Sequence, residues 1–509
     1  MTGQQLLVSL FVCVIMVLLS CASSPKSTPS YESITFTPTW ESLDLYEVPA
    51  WYQDAKFGIF IHWGPYAVPA HGSEWYPRNM YNRDSSLFAH HKQTWGDQSE
   101  FGYKDFIPLF KAENWDPDAW AELFAQSGAR YVMPVAEHHD GFAMYDSSHT
   151  GWNAKAMGPQ RDICGELAQA VRKRDMKFCV SSHYAWNWRY YFVEDGFDNA
   201  NPMYAGLYGR RHDPNAPADA EFLAHWYART KELIDKYQPA VLWFDFGFTW
   251  PEFEPGRREI AAYYYNQQKQ WGEGVALNYK RWTQPEKGVT KVAFPPGTGV
   301  LDLEREKSPH IRDFFWQTDT SISKKSWGYI ENDEFKSPDG LIDDLVDIVS
   351  KNGCMLLNVG PRPDGTIPQE AQDILLAMGK WLNVNGTAIY GSRPWILSGE
   401  GPTVTAQGHI SERKNKPYTA EDIRFTQDGT YLYAIVLDWP ANNVLAIKSL
   451  KDGQAIGVKG IKSIEMLGSS QKLAWSQDTN VLTIKLPKER LGDFAYVLKI
   501  TPKGDLVKP

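Results

Sequence analysis

Between residues 57 and 360, short unbroken apolar runs alternate with longer stretches whose apolar residues recur every three or four positions. The runs are FGIFI (57–61), YVMPVA (131–136), KFCVS (177–181), AVLWF (240–244), VALNY (275–279), VLDL (300–303) and CMLLNVG (354–360). Continuous apolar runs of this length, rich in β-branched and aromatic residues, predict strands buried on both faces. The periodic stretches predict helices. In DPDAWAELFAQSG, Asp116 is the N-cap, Pro117 opens the first turn and Gly128 ends the helix, while Trp120, Leu123 and Phe124 share one face. CGELAQAVRKRD, LAHWYARTKELIDKYQ, REIAAYYYNQQKQ, PDGLIDDLVDIVSKNG and QEAQDILLAMGKWL have the same period.

Strands alternating with helices argue for an α/β fold with a parallel sheet and helices outside it. The strand count approaches about eight, so a (β/α)8-like barrel over residues 40–392 is the leading reading and an open doubly wound sheet the alternative. No glycine-rich phosphate loop follows any strand, which removes the usual sign of a nucleotide fold. After GSRPW (391–395) the helical period disappears. TYLYAIVLDW, NVLAIKSL, KLAWS, NVLTIKLP and FAYVLKI read as short strands, with Asp428-Gly429 as a hairpin turn before the first. Residues 393–509 are therefore predicted to form a C-terminal antiparallel β-sandwich domain. It holds no cluster of proton-active residues, which suggests support or weak binding.

The first residues differ from both domains. QLLVSLFVCVIMVLLSCASSPKS carries an apolar run with the length of a signal-peptide core, ending Leu18-Leu19-Ser20-Cys21 like a lipoprotein cleavage box. Residues 1–21 are predicted to be a lipoprotein-type signal peptide, with Cys21 acylated as a lipid anchor. No Lys or Arg precedes the run, and a plain signal peptide with Cys21 incidental is the alternative. Residues 22–39, rich in Ser, Pro and Thr, read as a polar tether. The expected location is outside the cytoplasm of a bacterium, in the periplasm or on the outer membrane. Cys164, Cys179 and Cys354 are scattered and give neither a disulfide framework nor a metal motif. The net charge of −9 argues against nucleic acid as a partner. Aromatic residues make up 14% of the chain, with 21 Trp, enough to fill a core and still line a sugar site.

The conspicuous polar residues fall where a barrel would gather them. His62 follows FGIFI, His138 and His139 follow YVMPVAE, His183 follows KFCVSS, Asp245 follows AVLWF, Arg281 follows VALNYK and Glu304 follows VLDL. The carboxyl ends of barrel strands share one rim, where active sites are built. Singly, each has an ordinary structural reading: a loop cap, an N-cap, a solvated charge run or a loop network. Together at one rim they make a pocket. Histidines with a carboxylate could bind zinc, but H-x-H and H-E-x-x-H spacings are missing, and adjacent His138 and His139 on extended backbone would point opposite ways. A polyol suits the pair better, because a neutral imidazole both donates and accepts hydrogen bonds. Sugar hydrolysis needs two carboxyl groups in different environments, and Asp245 and Glu304 end separate strands.

At these residues the chain resembles the α-L-fucosidases of glycoside hydrolase family 29. The motifs are KFGIFIHWGPYAVPAHGSEWY (56–76), EHHDGFAMYDS (137–147), VLWFDFG (241–247), WQTDTSISKKSWGY (316–329) and LVDIVSKNGCMLLNVGPRPDGTIP (345–368), in that order. The resemblance implies a (β/α)8-like catalytic domain followed by a β-sandwich, and retaining hydrolysis of terminal α-L-fucose without a metal or cofactor. The family's nucleophile falls on Asp245. Its acid/base varies in position; Glu304 is the choice, with Glu306 the alternative. The fucose-binding residues implied are His62, Glu74, Trp75, His138, His139, Trp243 and Trp327, and the family's sugar-binding arginine falls on Arg281, with Lys280 beside it. His183 is implied in the third-strand region, with Tyr184 its substitute. The expected partner is a fucosylated oligosaccharide or polysaccharide. A metal-dependent hydrolase on the same barrel and a non-catalytic fucose-binding surface lipoprotein are the competing readings.

Overall fold

The computed structural model describes residues 34–284, 289–452 and 460–506. The predicted signal peptide, Cys21 and residues 22–33 of the tether lie outside the described residues. Among those described, no helix is long and apolar enough to cross a membrane.

The apolar runs close into a barrel. Its strands are β1 (Phe57–Ile61), β2 (Tyr131–Glu137), β3 (Lys177–Phe178) and β4 (Val180–Ser182) as one interrupted stave, and β5 (Val241–Phe244). A small hairpin, β7 (Trp282–Gln284) with β8 (Val289–Lys291), follows β6 (Ala276–Lys280); β9 (Val300–Asp302), β10 (Trp316–Ser321) and β11 (Gly353–Val359) complete the ring. The order is β1-β11-β10-β9-β6-β5-β4-β2, and β1 pairs back to β2 in parallel, so no edge remains. Closure buries every residue of β1, β2, β10 and β11, which is why β1, β2 and β11 read as largely apolar runs instead of alternating ones. Phe60, Tyr131, Met133, Trp243, Val300 and Leu356 fill the lumen in one cluster. The helices that follow the strands, such as Pro117–Gln126 with its Asp116 cap, pack their apolar faces onto the outside.

Two features depart from the repeat read in the sequence. Among the described residues no helix separates β6 from β9, where the small hairpin stands, or β9 from β10. The strand β10, WQTDTS, has no apolar signature and was not among the predicted strands. It survives in the ring because its inward polar residues have partners. Tyr52 and Tyr131 donate their hydroxyls to Gln317 Oε1 at 2.6 and 3.2 Å, the Gln317 amide donates to Asp302, and Asp319 pairs with Lys280.

After residue 392 the chain is antiparallel. A five-stranded sheet has the order β12 (Arg393–Glu400), β13 (Ile423–Gln427), β14 (Leu432–Val436), β19 (Tyr496–Pro502), β16 (Ile461–Met466); a three-stranded sheet has β15 (Val444–Ile447), β18 (Leu482–Lys485), β17 (Ala474–Gln477). Trp395, Phe425, Leu432, Leu445, Ile484 and Leu498 pack between them. The β13–β14 hairpin turns at Asp428-Gly429, with Gly429 at φ 87°, as its sequence signals. β12, β13 and β16 were not predicted.

Candidate active site

The carboxyl ends of the barrel strands bring four imidazoles and three carboxylates around one lysine. His62 follows β1. Its Nδ1 and backbone N–H both face Asn358 Oδ1, at 2.7 and 3.0 Å, which fixes the ring and directs Nε2 into the pocket. His138 and His139 follow β2. The strand ends at Glu137 and the chain turns through Gly141 at φ 85°, so the two neighbours escape strand alternation. Their rings lie 4.6 Å apart in one cluster, His138 5.9 Å from His62 and 5.1 Å from His183. His139 donates Nδ1–H to the His183 carbonyl at 2.7 Å. The Asp140 carboxyl that completes the triplet stays out of the cluster. It accepts from the Tyr103 hydroxyl and the Phe142 N–H, and burial pushes its pKa up to about 6. It is a loop network.

Asp245 follows β5 and lies in the middle of the group. His139 Nε2 and His183 Nδ1 each approach Oδ2 at 3.2 Å, the Phe246 N–H donates to Oδ1 at 2.7 Å, and Lys280 Nζ is 3.7 Å from Oδ1. Burial alone would raise its pKa. The Lys280 ammonium, followed by His183 and His139, more than offsets that and holds the carboxyl well below the usual range. Burial drives the imidazoles the other way: His183 falls to about 4, and His62 and His138 lie well below their ordinary value. They are therefore neutral near pH 7, able to donate and to accept. His138 Nδ1 has no hydrogen-bond partner among the described residues.

Lys280, the last residue of β6, also reaches Glu304 Oε2 at 3.3 Å and Asp319 Oδ2 at 3.0 Å. Trp243 and Trp327 flank its ammonium, with ring centres 5.1 and 5.3 Å away. Glu304 follows β9. Burial raises its carboxyl to about 7, against the pull of Lys280 and with help from Asp319 and Asp245. The two carboxyls at the rim thus have opposite dispositions, one ionised and one available as an acid. Below them Asp302 is raised well above the usual range by burial and by Asp319.

Several residues singled out in the sequence take other places. Arg281 turns out of the cluster and pairs with Glu306, whose Oε1 also accepts from the Gly408 N–H at 3.3 Å. Strand alternation decides this: Lys280 and Arg281 must point opposite ways, and the inward one is the lysine. Arg305, at φ 45°, reverses the chain between the two glutamates, leaving Glu304 at Lys280 and Glu306 on the flank. Tyr184 likewise diverges from His183. Its hydroxyl meets His225 Nδ1 at 3.0 Å on the helix Ala220–Tyr237, and its ring stacks on Phe222. Glu74 is buried, and its Oε2 accepts from Trp327 N–H at 2.9 Å and from the Ser326 hydroxyl. It therefore sets the tryptophan that lies 5.1 Å from His62. Trp75 lies 5.4 Å from His139 on the opposite side, and Trp243 is fully buried beneath His183 as the floor.

Lys280, set beside Arg281 in the sequence reading, takes the inward place, and Asp319 and Asn358 belong to the group beyond the predicted set. Asp319 had no signal because its strand was not read. Asn358 sits inside a strand that was.

Two ligand sets, His62 with His138 and His183, and His139 with His183 and Asp245, have donor atoms within 4.8 Å of one another. Their residue types suit zinc. Ring nitrogens of His62, His139 and His183 already face Asn358, a backbone carbonyl and the Ser181 hydroxyl.

The C-terminal domain also reaches this rim. The connection between β12 and β13 lies against the segment after β9: the Ile410 N–H donates to Glu304 O at 3.2 Å and the Glu412 N–H to Arg305 O at 3.0 Å. Glu412 pairs with Arg305 and Lys336 at 2.7 Å each and accepts from the Thr320 hydroxyl at 2.6 Å. The sandwich is thus more than an appendage to the barrel, and it brings His409 to the pocket edge.

Comparison with known proteins gives this geometry a family. Residues 23–387 match the α-L-fucosidase family model, and residues 415–501 match that of the α-L-fucosidase C-terminal domain. The tissue α-L-fucosidase of Rattus norvegicus is 33% identical over 477 residues, 92% of each chain. The Thermotoga maritima α-fucosidase structure in complex with fucose covers 92% of this chain and 100% of its own, with TM-score 0.72 and 31% identity. The structure of that enzyme with a mechanism-based inhibitor has TM-score 0.73 and 32% identity over the same shares.

Proposed function

The chain belongs to the α-L-fucosidase family, glycoside hydrolase family 29, and on that premise we propose how its own residues cleave a terminal α-L-fucose. Asp245 is the nucleophile. Ionised and held from two sides by imidazoles, it attacks the anomeric carbon as the glycosidic bond breaks, forming a covalent fucosyl-enzyme. Glu304, protonated below about pH 7, gives its proton to the departing oxygen. It then takes one from the water that opens the intermediate, and α-fucose is released with retained configuration. Lys280 keeps both carboxyls in register and Asp245 ionised. Neutral His62 and His138, with His139 beside them, exchange hydrogen bonds with the sugar hydroxyls, and Trp327 meets an apolar side of the ring.

One observation carries this reading: Asp245 and Glu304 contact the same ammonium while their proton affinities are pushed apart. The two Lys280 contacts, 3.7 Å to Asp245 Oδ1 and 3.3 Å to Glu304 Oε2, bring the two carboxyls to one pocket, as the separation of about 5 Å used by retaining enzymes requires. The complex of the Thermotoga maritima relative with fucose supports fucose as the sugar here. The test is hydrolysis of an aryl α-L-fucoside, with proton NMR following the first anomer. Initial α-fucose is expected; initial β-fucose would remove the covalent role from Asp245. Asp245→Ala should abolish nearly all turnover while fucose still binds, which also separates the enzyme from a fucose-binding protein without chemistry.

The ligand spacing of the histidine sets makes a metal the one rival with a specific observation behind it. Dialysis against EDTA should leave kcat unchanged. Added Zn2+ should compete with fucose, because both need the same nitrogens. Residues 1–21 we further read as an export signal with lipid attached at Cys21. Labelled fatty acid should enter the chain and fail to enter Cys21→Ala.

A further inference from the structure

We propose that His409, carried by the C-terminal domain, is a positioning residue for Glu304 and tunes its proton transfer to the leaving group. The inference rests on the reading of Glu304 as acid/base. His409 Nε2 lies 3.9 Å from Glu304 Oε2, the oxygen that Lys280 approaches at 3.3 Å. The approach is built into the fold. Three backbone N–H donors, from Gly408, Ile410 and Glu412, bond the β12–β13 connection to Glu306, Glu304 and Arg305 in turn. Ile410, at φ 55°, and Arg305, at φ 45°, are both in the left-handed region, a conformation kept for non-glycine residues only where surroundings enforce it. Each strained residue is adjacent in sequence to one of the facing pair, His409 and Glu304. The segment lies between the two regions matched by the family models, 23–387 and 415–501.

The groups facing Glu304 are Lys280 from β6, Asp319 from β10, Asp245 after β5, and His409. Those facing His409 are Lys280, Arg281, Asp319, Glu306 and Glu304. Burial, then Lys280 and Arg281, lower the His409 pKa, so the ring is neutral near pH 7. At 3.9 Å the two are close without being hydrogen-bonded; contacts of this kind often tighten when substrate is bound, and a neutral imidazole N–H then donated to Glu304 stabilises the carboxylate that remains after the proton has left. The ring is about a quarter exposed.

The experiment compares two substrates, 4-nitrophenyl α-L-fucoside, whose leaving group departs with little protonation, and a disaccharide ending in α-L-fucose, whose leaving group requires it. In His409→Ala, kcat/KM for the disaccharide should fall about tenfold, several times more than for the aryl fucoside, because general acid help of 10²–10⁴ is weakened and not removed. The alkaline limb of its pH profile should move to higher pH, since Glu304 loses a donor to its ionised form. His409→Gln, whose amide N–H reaches the same carboxylate, should restore most of both. Equal losses on the two substrates with the alkaline limb in place would reduce His409 to packing and overturn the proposal. Glu304→Ala is run beside it. A loss there that is the same for both substrates would show that Glu304 is not the acid/base, and the proposal would fall with that reading. A loss confined to the disaccharide, with His409→Ala at parental values, would overturn the proposal alone.

Discussion

At the scale of single residues the site depends on one cation. Lys280 contacts Asp245, Glu304 and Asp319, and it is the group that lowers both rim carboxyls against burial. Its removal has a signed consequence. In the parent protein Asp245 must be ionised and Glu304 protonated, so activity on a disaccharide should hold through mildly acidic pH and fall as pH rises through about 7, where Glu304 loses its proton. In Lys280→Met, burial acts on Glu304 without the ammonium and on Asp245 against His183 and His139 alone. The acid limb, set by Asp245, should rise by about 1–3 pH units, and the alkaline limb should rise with it. A pH profile of kcat/KM measures both. An acid limb that stayed in place would mean that the two imidazoles alone keep Asp245 ionised. The sequence placed a basic residue here but not which one. Lys280 and Arg281 are adjacent, and only the barrel's inward register distinguishes them.

At the scale of elements, what holds the histidine pair in place is the outer face of β2. Glu137, its last residue, is fully buried and bonded to Arg229 Nε at 2.8 Å, to the Ser182 hydroxyl at 2.7 Å and to Tyr145. Arg229 comes from the helix Ala220–Tyr237, so helix, strand and the turn into His138-His139 are tied at one carboxylate. Glu137→Leu leaves a guanidinium buried without its partner, and should cost about 3–5 kcal/mol, read as a lower denaturation midpoint together with lost turnover. The double variant Glu137→Leu/Arg229→Met removes both charges and should recover much of the stability. It should recover less of the activity, because the turn loses its anchor. Most elements of the barrel were legible because its strands are buried on both faces and write themselves as apolar runs. WQTDTS was not, since a strand whose inward residues hydrogen-bond across the lumen has no hydrophobic signature. Asp319, the third carboxylate on Lys280, was hidden with it. β16, IKSIEM, lacked a clean alternation because its pairing with β19 shifts register between Ile461 and Ser463, and β13, IRFTQ, alternates over too short a run to stand out.

At the scale of the whole molecule, the sequence separated the two domains by texture and assigned chemistry to the first alone. It could not show that a connection inside the second returns to the barrel rim, because such a contact joins residues about a hundred positions apart, and no local periodicity records it. Glu412 is the residue on which that return depends. It supplies the counter-charge to Arg305, which is nearly inaccessible, and to Lys336, and it accepts from Thr320 on β10. Glu412→Ala would leave Arg305 unpaired one residue from Glu304, at a cost of about 3–5 kcal/mol by the measure of other buried pairs. The parent chain should therefore unfold in a single calorimetric transition, its domains held together through this contact. The variant should unfold at lower temperature with the domains separating into two transitions. Turnover of a disaccharide should fall more than turnover of 4-nitrophenyl α-L-fucoside, because the part that loosens carries the proton donor while Asp245 stays on its strand. Two transitions in the parent, or equal losses on both substrates in the variant, would mean that the barrel completes its rim without the sandwich. In that case the second domain would stabilise the enzyme without shaping its chemistry.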